Sequence, residues 1–239
     1  MKQEVLTLSG EKMFDRLKRI TLYTGNLGSG KTEVAVNTAL GLMRLGKKTS
    51  LVDLDIINPY FRSRRVKKQL EKLGLHVVTP EGNLSFADLP ALSPAVKGVI
   101  QDDKKTGVFD VGGDDVGAVA LGRYKDWLQE QDHQMLLVIN TCRPFTRDPE
   151  GIIKYLQSIQ GASGIKVSGL VNNTNLGGET DLATVLEGFR IVSRTSKMLG
   201  LPIIFTAVTK GLEEETKREL EKESNILVLE KFMKTPWEE

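Results

Sequence analysis

The chain has 239 residues, 40% of them hydrophobic and 27% charged, which is enough apolar material for one large α/β domain with a full core. A net charge of +2 gives no electrostatic argument for nucleic acid or an anionic membrane as partner. The single cysteine, Cys142, excludes an intramolecular disulfide framework, and with only His76 and His133 beside it a zinc site is not expected.

The N-terminal stretch "MKQEVLTLSGEKMF" lacks an apolar signal-peptide core and reads as an extension over residues 1–18. No run reaches the roughly 18 apolar residues of a membrane span, so a cytosolic chain is expected. "RITLYTG" then predicts a first strand and "KTEVAVNTALGLMRLG" a helix stopped by Gly46. "KTSLVDLDI" predicts a second strand. "RSRRVKKQLEKLG" is an amphipathic helix with Val66, Leu70 and Leu73 on one face and Gly74 as its stop. "LHVVTP" is a short strand, "ADLPALSPAVKGVI" is less regular, and "TGVFDVGG" is strand-like again.

A helix is expected near 116–131, then the strand "HQMLLVIN". Asp148-Pro149 opens another helix as N-cap and first-turn proline. "IKVSGLVNNTN", the helix "TDLATVLEGFRIVSRTSKMLG" and "LPIIFTAVT" continue the alternation, and no linker or repeat interrupts it. Strands separated by helices imply a mostly parallel central sheet with helices on both faces, in a single domain over residues 1–239. The tail, 211–239, combines a charged helix with the apolar "ILVLEKFM". That end reads as a final core strand, with a membrane-seeking or partner helix as the alternative.

"GNLGSGKT" fits G-x-x-x-x-G-K-[ST] and lies between a predicted strand and a predicted helix, the context that this phosphate-cradling motif requires. Gly25, Gly28 and Gly30 let backbone N–H groups approach a polyphosphate at the positive end of the helix. Lys31 should reach the β- and γ-phosphates, and the Thr32 hydroxyl should bind Mg²⁺. Asn26, Leu27, Ser29 and Glu33 complete the segment expected to wrap the nucleotide.

Such a loop needs a further carboxylate near the metal. "TGVFDVGG" offers Asp110 at a strand end and Gly113 three residues on, where the backbone can turn toward the γ-phosphate; an ordinary Asp-containing turn is the alternative. Asp53 and Asp55, two apart in "VDLDIINPYFRSR", project from one side if the strand persists. One then holds metal-bound water and the other orients the attacking water, unless both are simply solvated.

These motifs together resemble the CobQ/CobB/MinD/ParA superfamily of P-loop nucleotide-binding proteins, which includes the nitrogenase iron protein and metal-centre maturation ATPases. The resemblance runs from about residue 19 to 210 and rests on "GNLGSGKT", "LVDLDIINPYFRSR", "FDVGGDDVGA" and "GLVNNTN". It implies a P-loop NTPase fold, with Asp53 on the metal side and Asp55 as the water-orienting residue. It also implies an adenine-reading asparagine, of which Asn173 fits better than Asn172, although both also suit a cap or turn. The guanine signature N-K-x-D is absent, and an amide matches adenine's donor and acceptor edge, so ATP is favoured over GTP. Many members carry a lysine after the loop's first glycine that reaches a partner's nucleotide across a dimer. This chain has Asn26 there, and Arg62, Arg64 or Arg65 would have to substitute.

The leading expectation is therefore a Mg²⁺-dependent ATPase that switches an unidentified protein partner, with a nucleotide-dependent homodimer as one arrangement. A small-molecule kinase or ATP-dependent ligase, its acceptor pocket near Arg123 and "NTCRPFT", is the rival, and a nucleotide-binding module with little turnover is the third reading. Arg143 sits where it would touch phosphate or partner.

Overall fold

Strands and helices alternate along the chain: β1 (Ile20–Thr24), α1 (Lys31–Arg44), β2 (Thr49–Leu54), α2 (Ser63–Lys72), β3 (His76–Val78), α3 (Pro94–Gln101), β4 (Thr106–Val111), α4 (Asp115–Gly122), α5 (Lys125–Gln129), β5 (His133–Ile139), α6 (Pro149–Ser163), β6 (Val167–Asn172), α7 (Leu182–Leu199), β7 (Ile203–Thr209), α8 (Glu213–Leu220) and β8 (Ile226–Leu229). The computed structural model describes residues 13–54, 63–79, 93–220 and 224–233, with backbone alone at 63–65. The eight strands form one sheet in the order β3-β2-β4-β1-β5-β6-β7-β8, and every neighbouring pair is parallel.

Alternation along each strand sends its apolar residues to two cores. Ile20, Leu22, Val52, Phe109, Val111, Leu137 and Ile139 face α3 to α6. Tyr23, Leu51, Val108, Leu136 and Val138 face α1 and α2. A smaller cluster of Val185, Phe189, Val208, Leu220 and Ile226 packs α7 and α8 on the β7–β8 end. The expected α/β architecture is therefore present, with the final apolar stretch as strand β8 beside β7. Among the described residues, no helix is long and apolar enough to cross a membrane.

The helix expected near 116–131 is two helices, α4 and α5. Gly122, a weak helix former, ends the first. The chain turns so that Tyr124 is buried, where its hydroxyl accepts the Ser93 N–H at 3.2 Å and its ring meets Trp127 at 6.0 Å. The irregular stretch before β4 contains α3, opened by Pro94 in the first turn. Met13 and Phe14 are core residues, since the Phe14 ring lies where a side chain on Gly41 of α1 would stand.

Candidate functional site

The β1–α1 connection is the natural place to start. Its turn is closed by Ser29 N–H donating to the Asn26 carbonyl at 2.9 Å, and Asn26 Oδ1 accepts the Leu27 N–H at 2.8 Å. Gly30 is the N-cap of α1, at φ 80°, and no side chain caps that helix end. A Cβ at Gly30 would also lie 2.3 Å from Asn173 Nδ2, so glycine is required twice over. By contrast α4, α6 and α7 are capped by the carboxylates of Asp114, Asp148 and Asp181 at 2.7–2.8 Å. A helix start without a side-chain cap is one that an anion can complete. Lys31 and Thr32 hold the first two helical positions and are largely buried. Ser29 Oγ is a buried hydroxyl with no hydrogen-bond partner among the described residues, which suits a polar ligand arriving at the loop.

Two carboxylates approach from the neighbouring strands. Asp53 and Asp110 are register partners across β2 and β4, and Tyr23 of β1 is opposite Asp110. The alternation that puts Leu51 and Val108 under α1 puts both aspartates on that same face. They are 0% and 1% exposed, an environment that calls for cationic or hydrogen-bonding company. Gly113 brings the following turn against the loop: a Cβ there would stand 1.9 Å from the Gly25 carbonyl oxygen. The Tyr155 hydroxyl of α6 donates to the Gly113 carbonyl from behind. Asp55 and Arg62 lie outside the described residues, and Arg64 and Arg65 fall in the first turn of α2, of which only the backbone is described.

The other side of the loop is held by asparagines. Asn173 Nδ2 donates to the Ser29 carbonyl at 2.7 Å. Asn172 Oδ1 accepts the N–H and hydroxyl of Thr174 at 3.3 and 2.8 Å, so it turns the chain. Asn140, at the end of β5, was not singled out in the sequence, yet it joins three segments. Its Nδ2 donates to the Gly28 and Asn175 carbonyls at 3.2 and 3.0 Å, and its Oδ1 accepts from the N–H groups of Cys142 and Asn175 at 3.0 and 3.2 Å. The signal available was a lone Asn ending an otherwise apolar strand, "LLVIN". Arg143 reaches the loop itself, Nε donating to the Gly28 carbonyl at 3.1 Å. Partial burial pushes the Cys142 thiol up, which gives no sign of an activated nucleophile. His76 pairs with Ser50 Oγ at 2.9 Å and His133 with the Gln131 carbonyl at 3.1 Å; both read as structural contacts.

Beside the loop opens a cavity of about 270 Å³ whose walls include Gly30, Asn173, Asn175, Thr209, Leu229 and Met233. Glu33 borders it, but its carboxylate is turned to the chain end, where it accepts the Phe232 N–H and, at 3.0 Å, the Met233 N–H. Burial raises the Glu33 carboxyl above its ordinary value, against the pull of those two hydrogen bonds.

Neither a protein-family model nor a curated protein matches the sequence. Solved structures do match the chain's architecture. FtsY from Mycoplasma mycoides superposes with a TM-score of 0.55 and 19% identity, covering 81% of this chain and 60% of its own. The cell division protein FtsY from Thermotoga maritima gives 0.56 and 19%, over 83% of this chain and 68% of that one. Its fold is that of the P-loop NTPases. A third P-loop structure, the signal recognition particle 54 kDa protein from Aeropyrum pernix in complex with GDP, gives 0.51 and 18% over 78% of this chain. This chain spans 60% and 40% of the length of the Mycoplasma and Aeropyrum chains. At these identities the likeness is one of fold.

Proposed function

We propose that this chain is an ATP-binding, Mg²⁺-dependent ATPase whose nucleotide state switches its contact with a partner protein. The observation that carries this reading is the uncapped start of α1, with Lys31 and Thr32 in its first turn and Asp53 and Asp110 on the sheet face beneath the same helix. In this reading residues 25–30 wrap the phosphates and Lys31 offsets their charge. Thr32 would hold Mg²⁺, with Asp53 and Asp110 on the metal side and Asp55 orienting the attacking water. Mg²⁺, when bound, neutralises charge on the β- and γ-phosphates.

Asn173 carries the base preference. The Ser29 carbonyl can only accept, so the amide nitrogen of Asn173 must be the end that faces it. That leaves Oδ1 as an acceptor and the second N–H as a donor. Adenine offers a donor and an acceptor side by side on one edge, whereas guanine offers two acceptors there. GTP is the second reading, favoured by one observation: the Aeropyrum pernix protein of this fold was solved with GDP.

The motifs further support membership of the CobQ/CobB/MinD/ParA superfamily, in a single cytoplasmic domain over 1–239 with 1–18 as an extension and the tail from 211 packed on it. Asn26 in place of a lysine argues for slow intrinsic hydrolysis, raised by an unidentified protein partner or within a nucleotide-dependent homodimer. Calorimetric titration of the protein with ATP and with GTP, each with and without Mg²⁺, tests the reading. Tighter binding of ATP that needs Mg²⁺ supports it. No binding of either nucleotide overturns it, and tighter GTP binding overturns the adenine assignment.

A further inference from the structure

Residues 229–233 are fastened to α1 by contacts that do nothing for the sheet. Asn37 grips Glu230 from both sides, Nδ2 donating to its carbonyl at 2.9 Å and Oδ1 accepting its N–H at 2.8 Å. Arg44 holds the Glu230 carboxylate with two nitrogens at 3.0 and 3.3 Å. Glu33 accepts the two N–H groups that follow, those of Phe232 and Met233. Three side chains spaced along one helix therefore lay this segment along α1, running antiparallel to it. Leu229, Lys231 and Met233 line the same cavity as Gly30 and Asn173. The cavity's described walls present mainly apolar surface, as a planar base requires, and Glu33, Asn173, Asn175, Thr209 and Lys231 add polar groups to it.

We infer that residues 229–233 are the outer wall of a nucleoside pocket, and that Glu33 is a positioning residue that holds this wall shut over the base. This rests on the phosphate-site reading above and deepens it. The hydrogen bonds that brace the phosphate loop come from Asn140, Arg143 and Asn173, and none of them involves Glu33 or residues 229–233. Affinity for a bare polyphosphate and affinity for the nucleoside are therefore separable. Loosening the wall lowers only the second.

The test compares ATP with inorganic tripolyphosphate, each with Mg²⁺, by calorimetry on the full chain, its Glu33→Ala variant and its Met233→Ala variant. Wild type binds ATP more tightly than tripolyphosphate. Freeing the wall removes two hydrogen bonds to a carboxylate, so the ATP-to-tripolyphosphate affinity ratio in Glu33→Ala falls by about tenfold while tripolyphosphate binding stays within about threefold. Met233→Ala trims the wall without changing charge and lowers the ratio in the same direction, which covers the case in which Glu33→Ala fails to fold. A ratio unchanged in either folded variant overturns the inference and leaves the phosphate site standing. Wild-type protein that binds neither compound overturns both.

Discussion

Replacing Asn140 by alanine is the sharpest test of how the phosphate loop is held. The side chain is fully buried and makes four hydrogen bonds, two donated to the carbonyls of Gly28 and Asn175 and two accepted from the N–H groups of Cys142 and Asn175. Its main-chain carbonyl, which accepts from Thr146 Oγ1 at 2.7 Å and the Arg143 N–H at 3.1 Å, is untouched by the substitution. Each lost hydrogen bond is worth about 0.5–1.5 kcal/mol net. The four add to more than that if their partners stay dry. Gly28 lies at an exposed turn and recovers water, so the expected loss is about 2–4 kcal/mol. Urea unfolding followed by circular dichroism measures it as a lower midpoint at constant slope. Asn140→Asp separates support from filling. It keeps an oxygen for both accepted hydrogen bonds, aims its other carboxylate oxygen at two carbonyl oxygens, and adds negative charge beside the phosphate loop. ATP binding should suffer more in this variant than in Asn140→Ala, even where stability suffers less. A loss below about 0.5 kcal/mol in Asn140→Ala, or wild-type ATP affinity in Asn140→Asp, would refute the bracing role.

Three further outcomes follow from the same geometry. Gly113→Ala puts a methyl group 1.9 Å from the Gly25 carbonyl oxygen, so the turn and the loop must part; a stability loss of about 1–3 kcal/mol in thermal melts and weaker nucleotide binding are expected. Lys31→Ala removes a cation from the phosphate site and should weaken ATP binding by roughly 30- to 150-fold in calorimetry; unchanged affinity would make the loop a structural turn. Asp55→Asn should keep ATP affinity while phosphate release falls, because water positioning acts in the transition state; normal turnover would remove Asp55 from the mechanism.

The alternation of strands and helices was readable because burial imposes period two on strands and period 3.6 on helices. The β1–α1 turn is legible in "GNLGSGKT" because its geometry is local: the glycines and the first helical residues lie within one turn of chain. Asp53 and Asp110 were identified from their strand ends, but their being opposite each other depends on β2 lying beside β4, a strand order that no periodicity encodes. Asn140 is not legible in the sequence because its partner Gly28 is 112 residues away, in a loop without a repeat. The same holds for Asn37 and Glu230, 193 residues apart. Glu33 was assigned to the nucleotide from its place beside the motif, and its carboxylate proves to bind main chain at 232–233. The single helix expected near 116–131 failed at Gly122, where the burial of Tyr124 outweighed an uninterrupted pattern.

The central position of β1 has a consequence for how the protein comes into being on the ribosome. β1 is made before both of its neighbours in the sheet: Ile20 is opposite Gly107 of β4 and His133 of β5, on the order of 90 and 110 residues later. At synthesis rates of about 5–20 residues per second, the strand waits roughly 5–20 s for them. Through that interval Ile20, Leu22 and Tyr23 have no sheet to enter, and a chaperone that shields short apolar stretches would find its client here. The loop after β1 waits longer still, because Asn140 and Asn173 brace it from later strands. A nascent chain therefore carries the motif well before its braces exist, and on the proposed reading competence for phosphate comes only with β6.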